Sequence, residues 1–313
     1  MLTASIIIPT YNRPDDLKKC IESILVQTVI PYEVIVVDDG NLDRLPFEEE
    51  CRKSGIKYIY HKKKIRGLTA SRNSGIKLAT GDIIFFLDDD VILFPDYVEE
   101  ILRVYEGDQK EIVGGVGGEI ANPKPITSVQ KIRRIFNIIF LVSGFHEGKV
   151  LPSGFCTNYG TTGSPIHEWT EVDFLSGGVC SFRKQVFQDF SFDSEMFRNY
   201  AMGEDKEFSY RVANKYKLIY TPKARLLHME SPKMSPDNFK EGQMFINFTY
   251  IFFIKYVKKS IFNWLLFYYA LLGYTLSRTI ILILSPKKGN FDRVRGVIKG
   301  INDCVFRKNA VVE

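Results

Sequence analysis

The run Ile83–Leu87, which reads IIFFL, is followed at once by the carboxylates Asp88, Asp89 and Asp90, and this stretch decides the fold. Five consecutive bulky apolar residues predict a short strand that is buried on both faces. The three adjacent carboxylates repel one another, so a binding partner has to offset their charge. In an open α/β sheet, ligands bind beyond the carboxyl ends of the parallel strands. The stretch therefore predicts a parallel sheet with a ligand site at its carboxyl edge.

Short β-branched runs alternate with amphipathic stretches through roughly the first 120 residues, which predicts βα units. The expected fold class is α/β, with a mostly parallel central sheet flanked by helices. The glycine-rich run Gly114–Gly118 lacks the spacing of a phosphate-binding loop, so we interpret it as a turn. We expect strands at Ser5–Ile8, Glu33–Val37, Lys57–Tyr60, Ile83–Leu87, Ile112–Val116 and Val172–Leu175, and helices at Pro14–Gln27, Pro46–Ser54, Thr69–Ala79, Pro95–Tyr105, Arg183–Phe187 and Asp205–Lys215.

The charge of the chain is divided unevenly along its length. The 313 residues carry a formal net charge of +5, which is too weak to indicate nucleic-acid binding. Residues 1–239 hold 30 basic and 33 acidic groups, whereas residues 240–313 hold 12 basic and 4 acidic groups. A hydrophobic content of 45% excludes a disordered, collagen-like or disulfide-scaffold chain. The positive excess therefore belongs to the C-terminal region of a globular protein.

The five cysteines are widely spaced, and no C-x-x-C pair occurs among them. This pattern predicts neither a zinc site nor a disulfide framework, and it favours a reduced, cytosolic environment. The chain starts with a short apolar run, Ala4–Ile8, which Pro9 ends, rather than with a basic region followed by a long apolar one. We therefore expect no signal peptide.

Polar residues collect where three of the predicted strands end. Pro9–Arg13 follows the first strand, Asp38–Gly40 follows the second, and Asp88–Asp90 follows the fourth. Each cluster taken alone is also a good turn or helix cap. Because parallel strands place their carboxyl ends along one edge, the three clusters together predict a binding crevice.

The acidic cluster has the ligand chemistry of a hard divalent cation. Asp88 and Asp90 alternate along the chain and would face the same side, and Mg²⁺ or Mn²⁺ binds carboxylate together with phosphate oxygens. The chain contains neither a P-loop nor a G-x-G-x-x-G motif. The predicted ligand is therefore a nucleotide diphosphate held through a cation, and an exposed acidic turn is the alternative.

Five motifs of this chain resemble those of family 2 glycosyltransferases, which have the GT-A fold and mostly invert the configuration of the transferred sugar. The motifs follow one another in order and at family-like spacing within residues 1–230. The resemblance implies an inverting transferase that uses a nucleotide-diphospho-sugar. The motifs are Pro9–Arg13, Val36–Gly40, Ala70–Gly75, Phe86–Asp90 and Gly203–Asp205.

The resemblance also implies roles for individual residues. Asp205 matches the catalytic base, and Asp90 matches the direct metal ligand. Asp39 matches the carboxylate that binds the nucleobase. The implied site comprises Asp205 for catalysis; Pro9, Thr10, Tyr11, Arg13, Asp39, Arg72, Asp88 and Asp89 for the nucleotide sugar; Asp90, Asp88 and His228 for Mg²⁺ or Mn²⁺; and Gly177, Gly178 and Glu204 for the acceptor.

Several of these roles have alternatives. Glu204 is a second candidate for the base, although an acidic residue in the first turn also stabilises a helix through its dipole. His228 is equally well a polar residue after a strand, and Gly177 with Gly178 is equally well an ordinary turn. Arg211 is expected to brace its helix rather than to contact substrate.

The chemistry of sugar transfer agrees with the implied roles. A single displacement at the anomeric carbon needs a base for the acceptor hydroxyl and positive charge for the departing diphosphate. A carboxylate at Asp205 would supply the first, and a metal ion held by Asp90 would supply the second. Neither a second catalytic carboxylate nor a covalent glycosyl intermediate is required.

Composition divides the chain into a catalytic domain, residues 1–235, and an aromatic, basic helical appendage, residues 236–313. Residues 119–170 are rich in Gly, Pro, Ser, Thr and Asn, which predicts an insertion or a mobile region on the acceptor side. One apolar helical piece, Ile132–Val142, interrupts that region.

The appendage has the sequence of a membrane-associated region. Of the 32 residues from Met244 to Thr275, 12 are aromatic, and Ile261–Leu284 is long enough to span a bilayer. Arg278 lies within that run and basic residues flank both of its ends, which favours a helix that lies in the surface of an anionic membrane. We expect peripheral attachment to the cytoplasmic face of the cell membrane; a single span, a soluble helical lid and a dimer surface are the alternatives.

The predicted function is a metal-dependent inverting glycosyltransferase that moves one sugar from a nucleotide-diphospho-sugar to a glycan or lipid-linked acceptor. Transfer to a polyprenyl phosphate is one alternative, and an inactive glycan- or membrane-binding scaffold of the same fold is another. The absence of a Q-x-x-R-W motif argues against a processive polysaccharide synthase. The absence of a Gly-rich basic loop after the first strand argues against a nucleotidyltransferase.

Overall fold

The computed structural model describes residues 1–42, 47–64, 66–123, 126–159, 166–197, 202–229 and 237–306. The chain forms two compact units: Met1–Pro123, Pro165–Asn199 and Glu204–Ser231 make the first, and Lys124–Ser164, Tyr200–Gly203 and Pro232–Glu313 make the second. The elements in chain order are β1 (Ala4–Thr10), α1 (Pro14–Leu25), β2 (Glu33–Asp38), α2 (Phe47–Lys53), β3 (Lys57–Lys62), α3 (Leu68–Leu78), β4 (Ile83–Leu87), β5 (Val91–Leu93), α4 (Tyr97–Gly107), β6 (Val113–Ile120), α5 (Ser128–Ile139), β7 (Thr170–Val172), β8 (Val179–Arg183), α6 (Val186–Asp189), α7 (Glu204–Ala213), β9 (Lys217–His228), α8 (Asn238–Phe252), a π-helical turn (Phe253–Val257), α9 (Ile261–Leu284) and α10 (Lys288–Phe306).

The described strands all belong to the first unit and form a nine-stranded sheet in the order β3-β2-β1-β4-β8-β6-β9-β5, with β7 beside β9. Parallel pairing joins β3, β2, β1 and β4, and it also joins β6 to β9. Because β8 is antiparallel to both β4 and β6, these two parallel groups share one direction. The predicted α/β fold with a mostly parallel central sheet is confirmed.

Strand β4 lies at the centre of this sheet and has the bounds that its apolar run predicts. All five of its residues are buried. Phe85 belongs to the main core and packs against Tyr97 of α4, whereas Phe86 makes edge-to-face contacts with Phe182 and Phe192. Burial of side chains of this size contributes about 1.5–3 kcal/mol each to stability. The residue that follows the strand is thereby held at the carboxyl edge.

The glycine-rich run that we interpreted as a turn lies inside strand β6, so that interpretation is wrong. A Cβ atom at Gly114 would lie 2.4 Å from the Cβ atom of Tyr216, and one at Gly118 would lie 2.7 Å from the ring of Tyr97. The aromatic side chains occupy the space that larger residues in β6 would need. Close packing against the backbone therefore explains a strand rich in glycine.

Other elements differ from their predictions. Arg183 ends strand β8, and the short helix expected near it begins only at Val186. The strand expected from Val172 is β7, which ends at that residue. The predicted start of a helix at Pro46 and the predicted domain boundary at 235 lie outside the described residues.

The second unit is helical in its described part and joins two distant stretches of sequence. Helices α8 and α10 pack at backbone distance, since a Cβ atom at Gly296 would lie 2.0 Å from the carbonyl oxygen of Phe239. Phe140, directly after α5, stacks on Tyr269 of α9 with ring centroids 5.1 Å apart. Residues 126–159, from the predicted insertion, thus pack with the C-terminal helices.

Helix α9 has the predicted bounds, and its length and composition are sufficient to cross a membrane. Among the described residues it is the one helix that meets this criterion. Five of its residues are buried, at three- and four-residue spacing along one face: Phe267, Ala270, Gly273, Tyr274 and Ser277.

Candidate functional site

Several strands of the first unit end at one edge of the sheet, and their last residues bring the polar clusters together. The amide of Asp39 donates to the carbonyl oxygen of Thr10 at 2.9 Å, and the Thr10 hydroxyl donates to Asp89 Oδ2 at 2.8 Å. His228 is the last residue of β9, and its Nε2 atom lies 3.1 Å from Asp90 Oδ1. The carboxyl edge of the sheet therefore carries the predicted concentration of polar groups.

Three of these groups converge in the manner of a metal site. Asp88, Asp90 and His228 each offer a donor atom, and the three atoms lie within 4.8 Å of one another. Burial raises the pKa of Asp88, and the nearby charge of Asp90 adds to this effect against the opposing guanidinium of Arg72. Two carboxylates and an imidazole fit a divalent cation, which would relieve the repulsion between the carboxylates.

Asp89, the middle carboxylate, has a different environment. Its side chain is 5% exposed, and Arg13 Nη1 lies 3.1 Å from its Oδ1 atom. The same guanidinium lies 3.3 Å from Asp90 Oδ2. Burial raises the pKa of Asp89 to about 6, although the hydrogen bond from Thr10 opposes the shift. Asp89 thus ties Thr10 and Arg13 together rather than joining the converging donor atoms.

The two aspartates at the end of β2, Asp38 and Asp39, also differ. Asp38 is fully buried and accepts a hydrogen bond from the Tyr60 hydroxyl at 2.7 Å, so it fixes the turn. Asp39 Oδ2 accepts a hydrogen bond from the amide of Gly67 at 2.7 Å, and Lys63 Nζ lies 3.2 Å from its Oδ1 atom. The segment between β3 and α3 therefore holds the Asp39 carboxylate in place.

Two residues of this segment are absent from the sequence-based prediction of the site. Lys63 is one, and Arg66 is the other, since its guanidinium lies 5.2 Å from the ring centroid of Tyr11. The Tyr11 ring is 46% exposed, whereas Pro9 is held inside β1 opposite Val37. The signal that would have found both basic residues is the run HKKKIR at positions 61–66, which follows a parallel strand at the ligand-binding edge.

Arg72 links two acidic parts of the site. Its side chain is 2% exposed, and Nη1 donates to Glu204 Oε1 at 3.2 Å. Nη2 lies 3.9 Å from Asp88 Oδ1, and the guanidinium lies 5.3 Å from the ring centroid of Phe192. A buried cation between two carboxylates fixes the positions of both.

The first turn of α7 contributes two carboxylates with different partners. Burial raises the pKa of Glu204 to about 7, and the charge of Asp205 adds to the shift while Arg72 opposes it. Asp205 Oδ2 accepts a hydrogen bond from the amide of Gly177 at 2.9 Å, and Oδ1 accepts one from the amide of Lys206 at 2.8 Å. These backbone donors orient the Asp205 carboxylate.

Two adjacent glycines separate the acidic groups. A Cβ atom at Gly177 would lie 2.6 Å from Arg72 Nη2 and 2.9 Å from the Asp205 Cβ atom. A Cβ atom at Gly178 would lie 2.0 Å from Asp88 Oδ2. The absence of side chains at both positions is therefore what allows these groups to approach one another.

The substitution Gly178→Ala should lower the affinity of the site for Mn²⁺ by at least about tenfold. The added methyl group would displace the Asp88 carboxylate, and a coordination set tolerates little displacement. Titration of the purified protein with Mn²⁺, followed by the electron paramagnetic resonance of the free ion, measures this affinity. Gly107→Ala is the matched control, because no atom lies within 4 Å of the Cβ position at Gly107. Equal affinity in the two variants would contradict the assignment.

Comparisons with known proteins agree with this geometry. Residues 5–162 match the family model for Glycosyl transferase family 2. The putative glycosyltransferase EpsH of Bacillus subtilis is 36% identical over 110 residues, which are 35% of this chain and 32% of EpsH. The chain matches its curated relatives over well under half of their length, with coverage from 16% to 38%.

Two solved structures share the fold at low sequence identity. The first is the mannosyltransferase PcManGT from Pyrobaculum calidifontis in complex with GDP-Man and Mn²⁺, which is 15% identical with a TM-score of 0.58, over 98% of this chain and 88% of that one. The second is S. aureus TarS 1–349 in complex with UDP-GlcNAc, which is 17% identical with a TM-score of 0.52, over 99% and 82%. These likenesses show the GT-A fold.

Proposed function

Because the chain belongs to glycosyltransferase family 2, we propose that it transfers one sugar from a nucleotide-diphospho-sugar to a glycan or lipid-linked acceptor. The transfer is metal-dependent and inverts the anomeric carbon. One observation carries this proposal: Gly177 and Gly178 bring the oriented carboxylate of Asp205 and the converging donors around Asp88 to the two sides of a two-residue segment. A single displacement needs a base and a cation site held next to each other in this way.

The donor is bound along the carboxyl edge of the sheet. The exposed ring of Tyr11 and the fixed carboxylate of Asp39 receive the nucleoside, by stacking and by hydrogen bonding respectively. Thr10 and Arg13 support the diphosphate side through their contacts with Asp89. The two neighbours solved with a donor carry different nucleotides, GDP-Man in one and UDP-GlcNAc in the other, so the choice of base belongs to this chain's own pocket.

Asp88, Asp90 and His228 would hold Mn²⁺ or Mg²⁺, the first of which is bound by the mannosyltransferase neighbour. Such an ion stabilises the negative charge that develops on a departing diphosphate. Arg72 stays protonated and keeps Asp88 in position from the buried side.

Asp205 is the base of the proposed reaction. It takes the proton of the acceptor hydroxyl while that oxygen forms its bond to the anomeric carbon and the bond to the diphosphate breaks. Two backbone amides hold the carboxylate at a fixed angle. Glu204 instead positions Arg72, because the Glu204 carboxylate forms an ion pair with that buried guanidinium.

The proposed domains follow the sequence-based division. Residues 1–235 form the catalytic domain, in which residues 119–170 are an insertion, and residues 236–313 form the helical appendage. The appendage attaches the enzyme peripherally to the cytoplasmic face of the membrane, and α9 supplies the apolar surface for this attachment.

A panel of UDP-, GDP- and dTDP-sugars tests the proposed activity directly. In the absence of acceptor, we expect slow hydrolysis of one donor class that requires Mn²⁺ or Mg²⁺ and stops when the cation is chelated. Release of the nucleoside diphosphate measures the reaction, and proton NMR of the first sugar product reports the anomeric configuration. Failure to bind or hydrolyse any donor in the presence of the cation would favour a scaffold without catalytic activity.

A further inference from the structure

Helix α9 carries an apolar surface outside its buried face. Seven exposed residues at three- and four-residue spacing define this surface, which we call the apolar stripe. No charged residue lies on it. Its members are Phe262, Leu265, Tyr269, Leu272, Leu276, Ile280 and Ile283.

The single charge within α9 points away from the apolar stripe. Arg278 Nε donates to the Tyr274 hydroxyl at 3.2 Å, and its guanidinium lies 5.1 Å from the centroid of that ring. Tyr274 itself is 4% exposed and belongs to the buried face. The helix is therefore two-sided, with one face packed against protein and the other uncharged and exposed.

Helix α5 flanks the stripe and presents three isoleucines of its own. Ile132, Ile135 and Ile139 are 68%, 62% and 59% exposed and follow one another at three- and four-residue spacing. The contact that joins the two helices involves the stripe, because Phe140 stacks on Tyr269. Exposed apolar side chains therefore lie on two helices that are in contact.

Basic residues are concentrated in this unit and lie at both ends of α9. The described residues of 126–159 and 237–306 include 14 basic and 5 acidic side chains. Lys255, Lys258 and Lys259 precede α9, and Lys287 and Lys288 follow it, all of them exposed. An apolar surface with cations at its rim is complementary to a bilayer that carries anionic head groups.

An arginine cluster lies within the same unit. Burial lowers the pKa of Arg133, and the neighbouring guanidinium groups of Arg278 and Arg293 lower it further. Arg293 pairs with Glu241, so three cations share a cluster with that carboxylate.

We propose that α5 and α9 together form a monotopic membrane-binding surface, in which Ile132, Ile135, Ile139 and the apolar stripe enter the surface of an anionic bilayer. This inference rests on the proposed membrane attachment and deepens it. It gives residues 126–159 a membrane-binding function, whereas the sequence analysis places that region on the acceptor side. Helix α9 lies along the membrane surface and does not cross the bilayer.

Binding of the full-length protein to vesicles tests the proposal. Vesicles of equal parts phosphatidylglycerol and phosphatidylcholine are compared with pure phosphatidylcholine in a flotation assay. The triple variant I132S/I135S/I139S should bind the anionic vesicles at least about tenfold more weakly than wild type, because three exposed apolar side chains no longer enter the lipid. The matched control V26S/I30S/I112S removes three exposed apolar residues of the first unit and should bind as wild type does.

Three results would overturn the proposal. The first is unchanged vesicle binding by the α5 variant, and the second is equal binding of wild type to pure phosphatidylcholine. The third is a change of oligomeric state in the α5 variant with vesicle binding retained, since the surface would then be a contact between copies. Circular dichroism and donor binding are measured on each variant, so that misfolding, or failure of the proposed catalytic function, is told apart from loss of membrane binding.

Discussion

The variant Asp205→Asn should transfer sugar about 1,000-fold more slowly than the wild-type enzyme, while its affinity for the nucleotide-sugar donor changes little. The amide cannot accept the proton of the acceptor hydroxyl, and positioned general bases contribute effects of this size. Asparagine keeps one oxygen that can accept the hydrogen bond from the amide of Gly177. Single-turnover rates with saturating donor, together with calorimetric donor binding, separate the two quantities.

Glu204→Gln is the matched control for this prediction, because it alters the neighbouring carboxylate and leaves Asp205 in place. We expect this control to lose part of its donor affinity through the weakened contact with Arg72, and to keep more activity than Asp205→Asn. The reverse order of activities would assign the base to Glu204. Near-normal transfer by Asp205→Asn would instead indicate an acceptor that arrives already ionised, such as a polyprenyl phosphate.

The second large effect is expected from Asp90→Asn. Loss of one carboxylate from the converging set should raise the Mn²⁺ concentration needed for half-maximal activity about 100-fold. Asp90 also accepts the contact from His228 and lies near Arg13, so the variant removes charge from the point where both side chains meet. The measurement is donor hydrolysis as a function of Mn²⁺ concentration.

Two further variants test whether His228 also binds the metal and whether the effect is specific to this site. His228→Gln should shift the same titration in the same direction by a smaller factor if the imidazole is a ligand, and unchanged Mn²⁺ dependence would leave His228 as a polar residue at the end of β9. Lys217→Gln, at the other end of β9, is the control, because its ion pair with Glu171 lies at the surface. A metal-independent wild-type reaction would contradict both assignments.

The strand β4 and its acidic end were predictable because local pattern and tertiary environment agree there. A run of five apolar residues predicts a strand that is buried on both faces, and the carboxylates that follow it lie at the carboxyl edge of the sheet. The same argument predicted β1 and β2, whose carboxyl ends meet through the hydrogen bond from Asp39 to Thr10. The candidate site could therefore be anticipated after β1, β2 and β4, but not after β3, where Lys63 and Arg66 lie.

Elements whose form depends on distant residues could not be predicted in this way. Strand β9 contains Pro222 and an irregular alternation of polar and apolar residues, yet it pairs with β5, β6 and β7. Helix α10 contains Gly296, which weakens a helix by about 1 kcal/mol in isolation. Here that glycine permits contact with the backbone of Phe239 in α8. Packing between elements far apart in sequence thus outweighs local preference.

The division of roles within the acidic run could be predicted only in part. Three consecutive aspartates give no sign that Asp89 is committed to Thr10 and Arg13. Alternation along the chain and the family resemblance did group Asp88, Asp90 and His228, and their donor atoms converge. The partner that completes this set lies 138 residues further along the chain. Only the pairing of the strands in the folded sheet brings His228 close to Asp88 and Asp90.

The contact between Phe140 and Tyr269 has a consequence for the order in which the protein acquires its parts. During synthesis at about 10 residues per second, α5 leaves the ribosome roughly 10 s before the helix on which it packs. Strands β1 to β6 precede α5, and β7 to β9 are made within that interval, since β9 ends at His228. The paired surface of α5 and α9 can thus form only after the strands of the sheet have been made, so a nascent chain gains this surface late.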